Sequence, residues 1–304
     1  MMRVLVAGAT SVPGMPLLRE LTSRGHDVIG LTRSSSRTAR IEAAGARPVV
    51  ADVFDLDDIT KTVADIGPEV VVSLLTTLPK RGPLRVRDFE PARRLWGVGA
   101  PNLVAAAQRA GVRRVVAESV IFAYGYPSTG PALMDERNPY PGPPPPGGDA
   151  MLAALRDMER TVLESGLHSD TEGIVLRYGG FYGPGVPHDE LLARMAKWRV
   201  SLDMGGDGVV SWVHIDDVVT ATANALDRGR GGQIYNIVDD RPQSLNDYTR
   251  QLAATVGRPR QMRVPRALVK AVAPYTVLAF GDTWLPMSNE KAKAELAFSP
   301  VARV

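Results

Sequence analysis

"RVLVAGATSVPG", residues 3–14, opens the chain and decides its architecture. Five residues rich in Val and Leu read as a strand. The run then enters a turn at Gly8, Ala9, Thr10, Ser11, Val12, Pro13 and Gly14, ahead of an amphipathic stretch from Pro16 to Ser23. A strand that breaks on small residues and restarts as a helix presents backbone N–H groups and the positive end of the helix dipole to an anion. Gly8, Ser11 and Gly14 keep the three-residue spacing of a pyrophosphate-binding turn, with Ser in place of the middle glycine. Ser11 adds a Cβ where backbone normally meets phosphate, and its hydroxyl suits either a helix cap or a phosphate oxygen. The turn predicts a dinucleotide site built on Gly8, Thr10, Ser11, Val12 and Gly14.

Further along, β-branched runs recur at Val28–Leu31, Pro48–Ala51, Val70–Leu74, Val115–Glu118 and Ile174–Arg177, separated by helical stretches such as Leu103–Ala110. Strands alternating with helices predict an α/β fold, a doubly wound parallel sheet covered on both faces. After Arg177 the pattern loosens, returns in "VSWVHIDDVVTATANAL" (Val210–Leu226) and gives one more strand at Gln233–Val238. The expected division is a nucleotide-binding domain over 1–176, completed by about 206–238, and a smaller lobe from 177–205 and 239–304. The proline-rich segment Asn138–Ala150, "NPYPGPPPPGGDA", is expected to form a stiff surface loop over a pocket mouth.

Composition narrows the class. The chain has 304 residues, 44% hydrophobic and 23% charged, which excludes disordered and collagen-like chains. With no cysteine there is no thiolate nucleophile, disulfide or Cys-ligated zinc, and no metal site is expected. A net charge of +3 does not call for a nucleic-acid partner. Val4–Gly8 is too short for a signal-peptide core, and the apolar stretch Val264–Phe280 is interrupted by Arg266, Lys270 and Pro274, so a cytoplasmic protein without a membrane partner is expected.

The second strand and its exit, "HDVIGLTRSSSR" (residues 26–37), bear on cofactor choice. An acidic residue at that strand end accepts ribose hydroxyls, whereas a cation pairs with the additional 2′-phosphate of NADP. Asp27 stands at the wrong end, and the exit carries Arg33 and Ser34 with Arg37 nearby, so NADP(H) is expected. Asp52, after the third strand, is positioned to accept the adenine amino group or to cap a turn.

Four segments together resemble the extended short-chain dehydrogenase/reductases, the NAD-dependent epimerase/dehydratase family: the turn Gly8–Gly14, "ADV" at Asp52, "LRYGGFYGPG" (Leu176–Gly185) and Val210–Leu226, with "GQIYNIVDD" (Gly232–Asp240) a weaker fifth. The resemblance implies a Rossmann domain holding NAD(P) and a C-terminal lobe forming the substrate pocket. Val53, Leu74, Leu75 and Thr76 complete the expected cofactor set. In this family a Tyr, with Lys four residues later, exchanges a proton with the substrate oxygen while hydride moves to or from nicotinamide. This chain lacks the pair: none of its eight tyrosines has Lys at the fourth following position. The likeness aligns Met151 and Leu155 with the missing residues, and Val120 with the assisting hydroxyl.

No dedicated acid is expected, the proton coming from water or from the substrate's own neighbouring hydroxyl. Ser119, the nearest remaining hydroxyl, is the second choice, as a group that orients the substrate oxygen, ahead of Tyr124, Tyr182 and His188. His214 matches a position that packs against or caps the following helix. Gly180 stands where many epimerases carry an Asn for the substrate diphosphate. Trp96, Val120, Phe122, Met151, Leu155, Gly180 and Phe181 therefore form the expected substrate wall, suited to a small hydrophobic ketone. The expected activity is an NADPH-dependent ketoreductase of atypical mechanism, on an aromatic polyketide-type ketone, in a monomer or homodimer. The alternatives are a redox-neutral epimerase or dehydratase and a non-catalytic NADP-binding regulator. If the cation at the second strand selects the cofactor, titration will show NADPH binding at least ~10-fold tighter than NADH, about 1.4 kcal/mol. Arg33→Ala will erase most of that difference; equal affinities in the unmodified protein would refute the assignment.

Overall fold

The structure is a computed structural model describing residues 1–130, 132–138, 142–167, 169–206 and 208–301. Its strands are β1 (Arg3–Ala7), β2 (Asp27–Thr32), β3 (Arg47–Val50), β4 (Val70–Ser73), β5 (Arg114–Val120), β6 (Glu172–Tyr178), β7 (Gly180–Tyr182), β8 (Val200–Leu202), β9 (Val209–Val210), β10 (Trp212–His214), β11 (Gln233–Ile237), β12 (Met262–Val264) and β13 (Trp284–Leu285). Seven of them pair in parallel, in the order β11-β6-β5-β4-β1-β2-β3. Chain order reverses at β1, which lies between β2 and β4, and a crevice for ligands opens at such a switch point.

The period of two along each strand sorts side chains onto two buried faces. Leu5 and Ala7 pack with Ile29, Leu31, Val71 and Val115 beneath the helices Leu56–Ile66, Ala100–Arg109 and Asp149–Leu163. Val4 and Val6 pack with Val28, Val70, Val72 and Val116 against the helices Gly14–Ser23 and Ile215–Arg228. Burial on both faces is why these strands read as uninterrupted apolar runs. Three small parallel pairs, β7 with β10, β8 with β12 and β9 with β13, organise the remaining lobe. Its core gathers Trp212, Tyr248, Val277, Leu285 and Met287.

The chain end departs from the expected division. Helix Glu290–Leu296 returns to the sheet, where Ala292, Leu296 and Phe298 are buried with the second face and not with the lobe. Residues 302–304 of that expected segment lie outside the described residues. Among the described residues, no helix is long and apolar enough to cross a membrane, and no group of three or more His, Asp or Glu could hold a metal ion.

One buried ion pair ties the sheet to its covering helix. Arg177 on β6 donates from Nε to Glu159 Oε1 at 2.8 Å and from Nη2 to Oε2 at 2.6 Å, with both side chains almost fully enclosed. Ser119 donates to the same Oε1 at 2.5 Å, and the guanidinium lies 4.2 Å from the centre of the Tyr124 ring. Two parallel charge-assisted bonds offset the desolvation of both ions. Removing one partner leaves a buried charge unpaired. Glu159→Ala should therefore cost ~3–5 kcal/mol in urea unfolding, and a double replacement, Glu159→Leu with Arg177→Met, should cost less than that single change. A loss below ~1 kcal/mol in the single variant would show that the pair does not hold the helix.

Candidate active site

A cleft of about 870 Å³ follows the C-terminal ends of the parallel strands and continues beneath the C-terminal lobe. At one end lies the β1 turn. Gly8 has φ +79°, and a Cβ there would stand 2.2 Å from the Leu74 carbonyl oxygen, so only glycine lets β1 turn this closely past the end of β4. The Ser11 N–H donates to the Gly8 carbonyl at 2.9 Å, and the Ser11 hydroxyl accepts from the Gly14 N–H at 3.1 Å. The serine thus ties down the helix start in the place of the middle glycine.

Of the expected cofactor residues, Gly8, Thr10, Ser11, Val12, Arg33, Val53, Leu74, Leu75 and Thr76 line this cleft. Three others are outside the lining. Gly14 opens the helix, Ser34 shares a 2.7 Å hydrogen bond with the Ser36 hydroxyl, and the Asp52 carboxylate accepts from the Phe54 N–H at 3.0 Å. Asp52 thus serves its own turn, the capping role open to it from the start. Arg37 also lines the cleft and donates to the Thr10 hydroxyl at 3.2 Å, bridging the β2 exit to the glycine turn. The close turn, the helix start behind it and two guanidiniums beside it fit a dinucleotide in extended form.

The other expected wall residues, Trp96, Val120, Phe122, Met151, Leu155, Gly180 and Phe181, line the same cleft, joined by Tyr275 and Phe280 from the apolar C-terminal stretch. A Cβ at Gly180 would lie 2.9 Å from the Trp212 ring, so the indole fills the space where an Asn side chain would reach a diphosphate. Met151 and Leu155 are buried on the helix Asp149–Leu163 and bring a thioether and a hydrocarbon side chain to the cleft wall.

The expected hydroxyl does not reach this space. Ser119 is outside the lining and is buried against Glu159, because alternate residues of β5 face opposite sides and Ser119 takes the helix side. Tyr124 and Tyr182 are also outside it; Tyr124 donates to Asn236 Oδ1 at 3.1 Å and Tyr182 to Asp239 Oδ2 at 2.7 Å. His188 does line the cleft, with Nε2 at 2.8 Å from the Phe181 carbonyl, and burial keeps its pKa below the ordinary value. His214 caps the helix Ile215–Arg228, accepting from the Asp216 N–H at 3.2 Å. The proline-rich loop does not cover the mouth in its described part. Gly142 donates to the Tyr124 carbonyl at 3.0 Å and Tyr126 to that of Pro143 at 2.9 Å, so the loop pairs with the exit of β5, and none of residues 142–150 lines the cleft. Pro139, Tyr140 and Pro141 lie outside the described residues.

Glu118 was missed at the sequence level, although a carboxylate inside "VVAESV" is a signal in itself. It lines the cleft between Thr76 and Tyr178 and is the one carboxyl among the described lining residues. Burial pushes it up to about 8, and a hydrogen bond with Thr76 pulls weakly the other way. Glu118 is thus a neutral acid at pH 7. The folded state keeps its proton where the unfolded chain, near 4.5, has lost it. Its stabilising contribution is therefore full below pH 4.5 and declines as pH rises through about 8. Glu118→Gln should match the unmodified protein at pH 5 and exceed it in stability at pH 8.5 by on the order of a few kcal/mol. Parallel stability-against-pH curves for the two proteins would refute this.

Comparison with known proteins identifies the family. The model of the NAD dependent epimerase/dehydratase family matches residues 4–238. A Streptomyces protein named 3-diazoavenalumate denitrifying reductase is 36% identical over 303 residues, 98% of this chain and 96% of its own. A Stigmatella aurantiaca ketoreductase acting on 4-hydroxy-2-methyl-3-oxo-4-farnesyl-3,4-dihydroquinoline-1-oxide is 27% identical over 84% of this chain and 74% of its own. The crystal structure of a Thermotoga maritima UDP-glucose 4-epimerase superposes with a TM-score of 0.81 at 22% identity, covering 99% of this chain and 94% of that one. The chain belongs to the NAD-dependent epimerase/dehydratase family.

Proposed function

We propose that this protein is an NADP(H)-dependent reductase that reduces a hydrophobic aromatic acceptor without a Tyr–Lys proton relay. The observation that carries this reading is the pair Met151 and Leu155 on the cleft wall, with the neighbouring Ser119 engaged by Glu159. Redox-neutral epimerisation or dehydration removes a proton and returns it, and that traffic is poorly served by such a wall. When bound, the nicotinamide dinucleotide supplies hydride. Gly8, Thr10 and Ser11 would hold its pyrophosphate, and Arg33 with Arg37 its 2′-phosphate. Val120, Phe122, Met151 and Leu155 would exclude water and fix the acceptor's plane.

Two acceptors can be reduced under these conditions. A ketone hydrogen-bonded to its own neighbouring hydroxyl carries an internal stabiliser for the developing alkoxide, a reading favoured by the relative named a ketoreductase. An arenediazonium ion goes further. Hydride adds at the carbon bearing nitrogen, the C–N bonding pair leaves with N₂, and the balance ArN₂⁺ + H⁻ → ArH + N₂ involves no proton. The relative matched along nearly the whole chain is named a denitrifying reductase of a diazo compound, which favours this second acceptor class.

The test is NADPH oxidation above the protein-free rate with a hydroxyarenediazonium salt, a hydroxylated quinone-type ketone, its O-methyl ether and UDP-glucose. Reduction of the diazonium salt should release one N₂ per NADPH. If the ketone is reduced, methylation should slow it at least ~10²-fold, and UDP-glucose should not react. Turnover of UDP-glucose, or NADPH binding with no oxidation by either acceptor class, would overturn the proposal.

A further inference from the structure

We propose that Tyr126 and Tyr275 together form the docking point for an oxygen atom carried by a planar aromatic substrate, and so select which arenes the cleft accepts. The inference rests on the reading of this cleft as the site of an aromatic acceptor. The two hydroxyls are 2.7 Å apart, and the residues are only 5% and 4% exposed. Both line the cleft, inside walls made by other rings. Phe122 stacks on Tyr126 at 5.3 Å between centroids, Phe89 meets Tyr275 edge-on at 4.9 Å, and Phe280 meets Phe122 edge-on at 5.8 Å. Such a box suits a flat arene, offering both faces and edges.

Hydrogen-bond accounting singles out the phenols. Two phenols carry two O–H protons, and the bond between them uses one. Neither hydroxyl has another hydrogen bond among the described residues, so one O–H remains as a spare donor in apolar surroundings. A buried donor left unpaired is unfavourable, and an oxygen on the bound arene relieves it. Burial raises both phenols well above their ordinary pKa, so the pair donates hydrogen bonds and does not act as a base. The partners come from distant parts of the chain. Tyr126 leaves the end of β5, whereas Tyr275 sits in the helix Pro274–Val277, anchored by its own N–H to the Leu84 carbonyl and by the Thr276 hydroxyl to that of Pro83, both at 3.0 Å.

The experiment titrates the NADP⁺-saturated protein with 4-hydroxycinnamate and with cinnamate, probes that differ by one ring oxygen. The unmodified protein should bind the hydroxylated probe roughly fivefold tighter or more, as one neutral hydrogen bond supplies. The double variant Tyr126→Phe/Tyr275→Phe keeps both rings and should bind the two probes within about twofold of each other. NADP⁺ affinity should not change. Tyr275→Phe alone still leaves one phenol with an unpaired proton and should keep the preference, and in the unmodified protein 4-methoxycinnamate, whose ring oxygen can only accept, should also bind more tightly than cinnamate, which keeps the test decisive if the double variant misfolds. Equal binding of the two probes by the unmodified protein, or a preference that survives both replacements, overturns the proposal. A preference that behaves as stated in a protein unable to oxidise NADPH with any acceptor would refute the reductase reading and leave the docking point standing.

Discussion

The ion pair between Arg177 and Glu159 is the constraint on which the site depends. Buried charges tolerate little displacement, because each missed hydrogen bond leaves a desolvation cost uncompensated. Glu159 therefore fixes the rotation of the helix Asp149–Leu163 against β6. Leu155 and Met151 lie four and eight residues earlier, on the same helical face, so the rotation that satisfies Glu159 also turns these two side chains to the cleft. The same carboxylate takes the Ser119 hydroxyl and the same guanidinium covers Tyr124. One structural interaction thus holds two of the candidate hydroxyl side chains outside the cleft lining.

What remains around the cleft is polarised along its length. Arg33 and Arg37 stand at the β2 end, suited to phosphate, and aromatic rings stand at the lobe end, suited to an uncharged or delocalised arene. Between them Glu118 carries its proton at neutral pH, because burial makes the carboxylate form unfavourable. Under the proposed reading, charge developing in the substrate would be stabilised by the substrate itself or by neutral donors such as the tyrosine pair, which is why acceptor chemistry and wall chemistry have to be read together.

Much of the cleft wall at the ends of β1 and β2 was legible in the sequence. Gly8, Thr10, Ser11 and Val12 are contiguous, and their spacing records a backbone geometry that few other residues permit. Arg33 is one residue past a strand whose apolar run is plain in the chain. Glu118 was legible too, as an isolated charge in an apolar strand, and was passed over in favour of the neighbouring hydroxyl. Ser119 illustrates why. Its place in the chain put it next to the expected catalytic position, but a strand sends neighbours to opposite faces, so proximity along the chain became separation in space.

The sequence by itself determined the parallel α/β architecture, the close turn after β1, the cationic exit of β2 and the absence of a Tyr–Lys relay, because each is a local pattern that short-range sterics or simple inspection decides. Tertiary structure alone decided that Ser119 belongs to a buried ion pair, that Trp212 fills the space beside Gly180, that the last helix rejoins the sheet, and that Tyr126 and Tyr275, 149 positions apart, share a hydrogen bond. Those facts rest on packing that is the joint outcome of contacts between segments distant in the chain, which no single stretch of residues encodes.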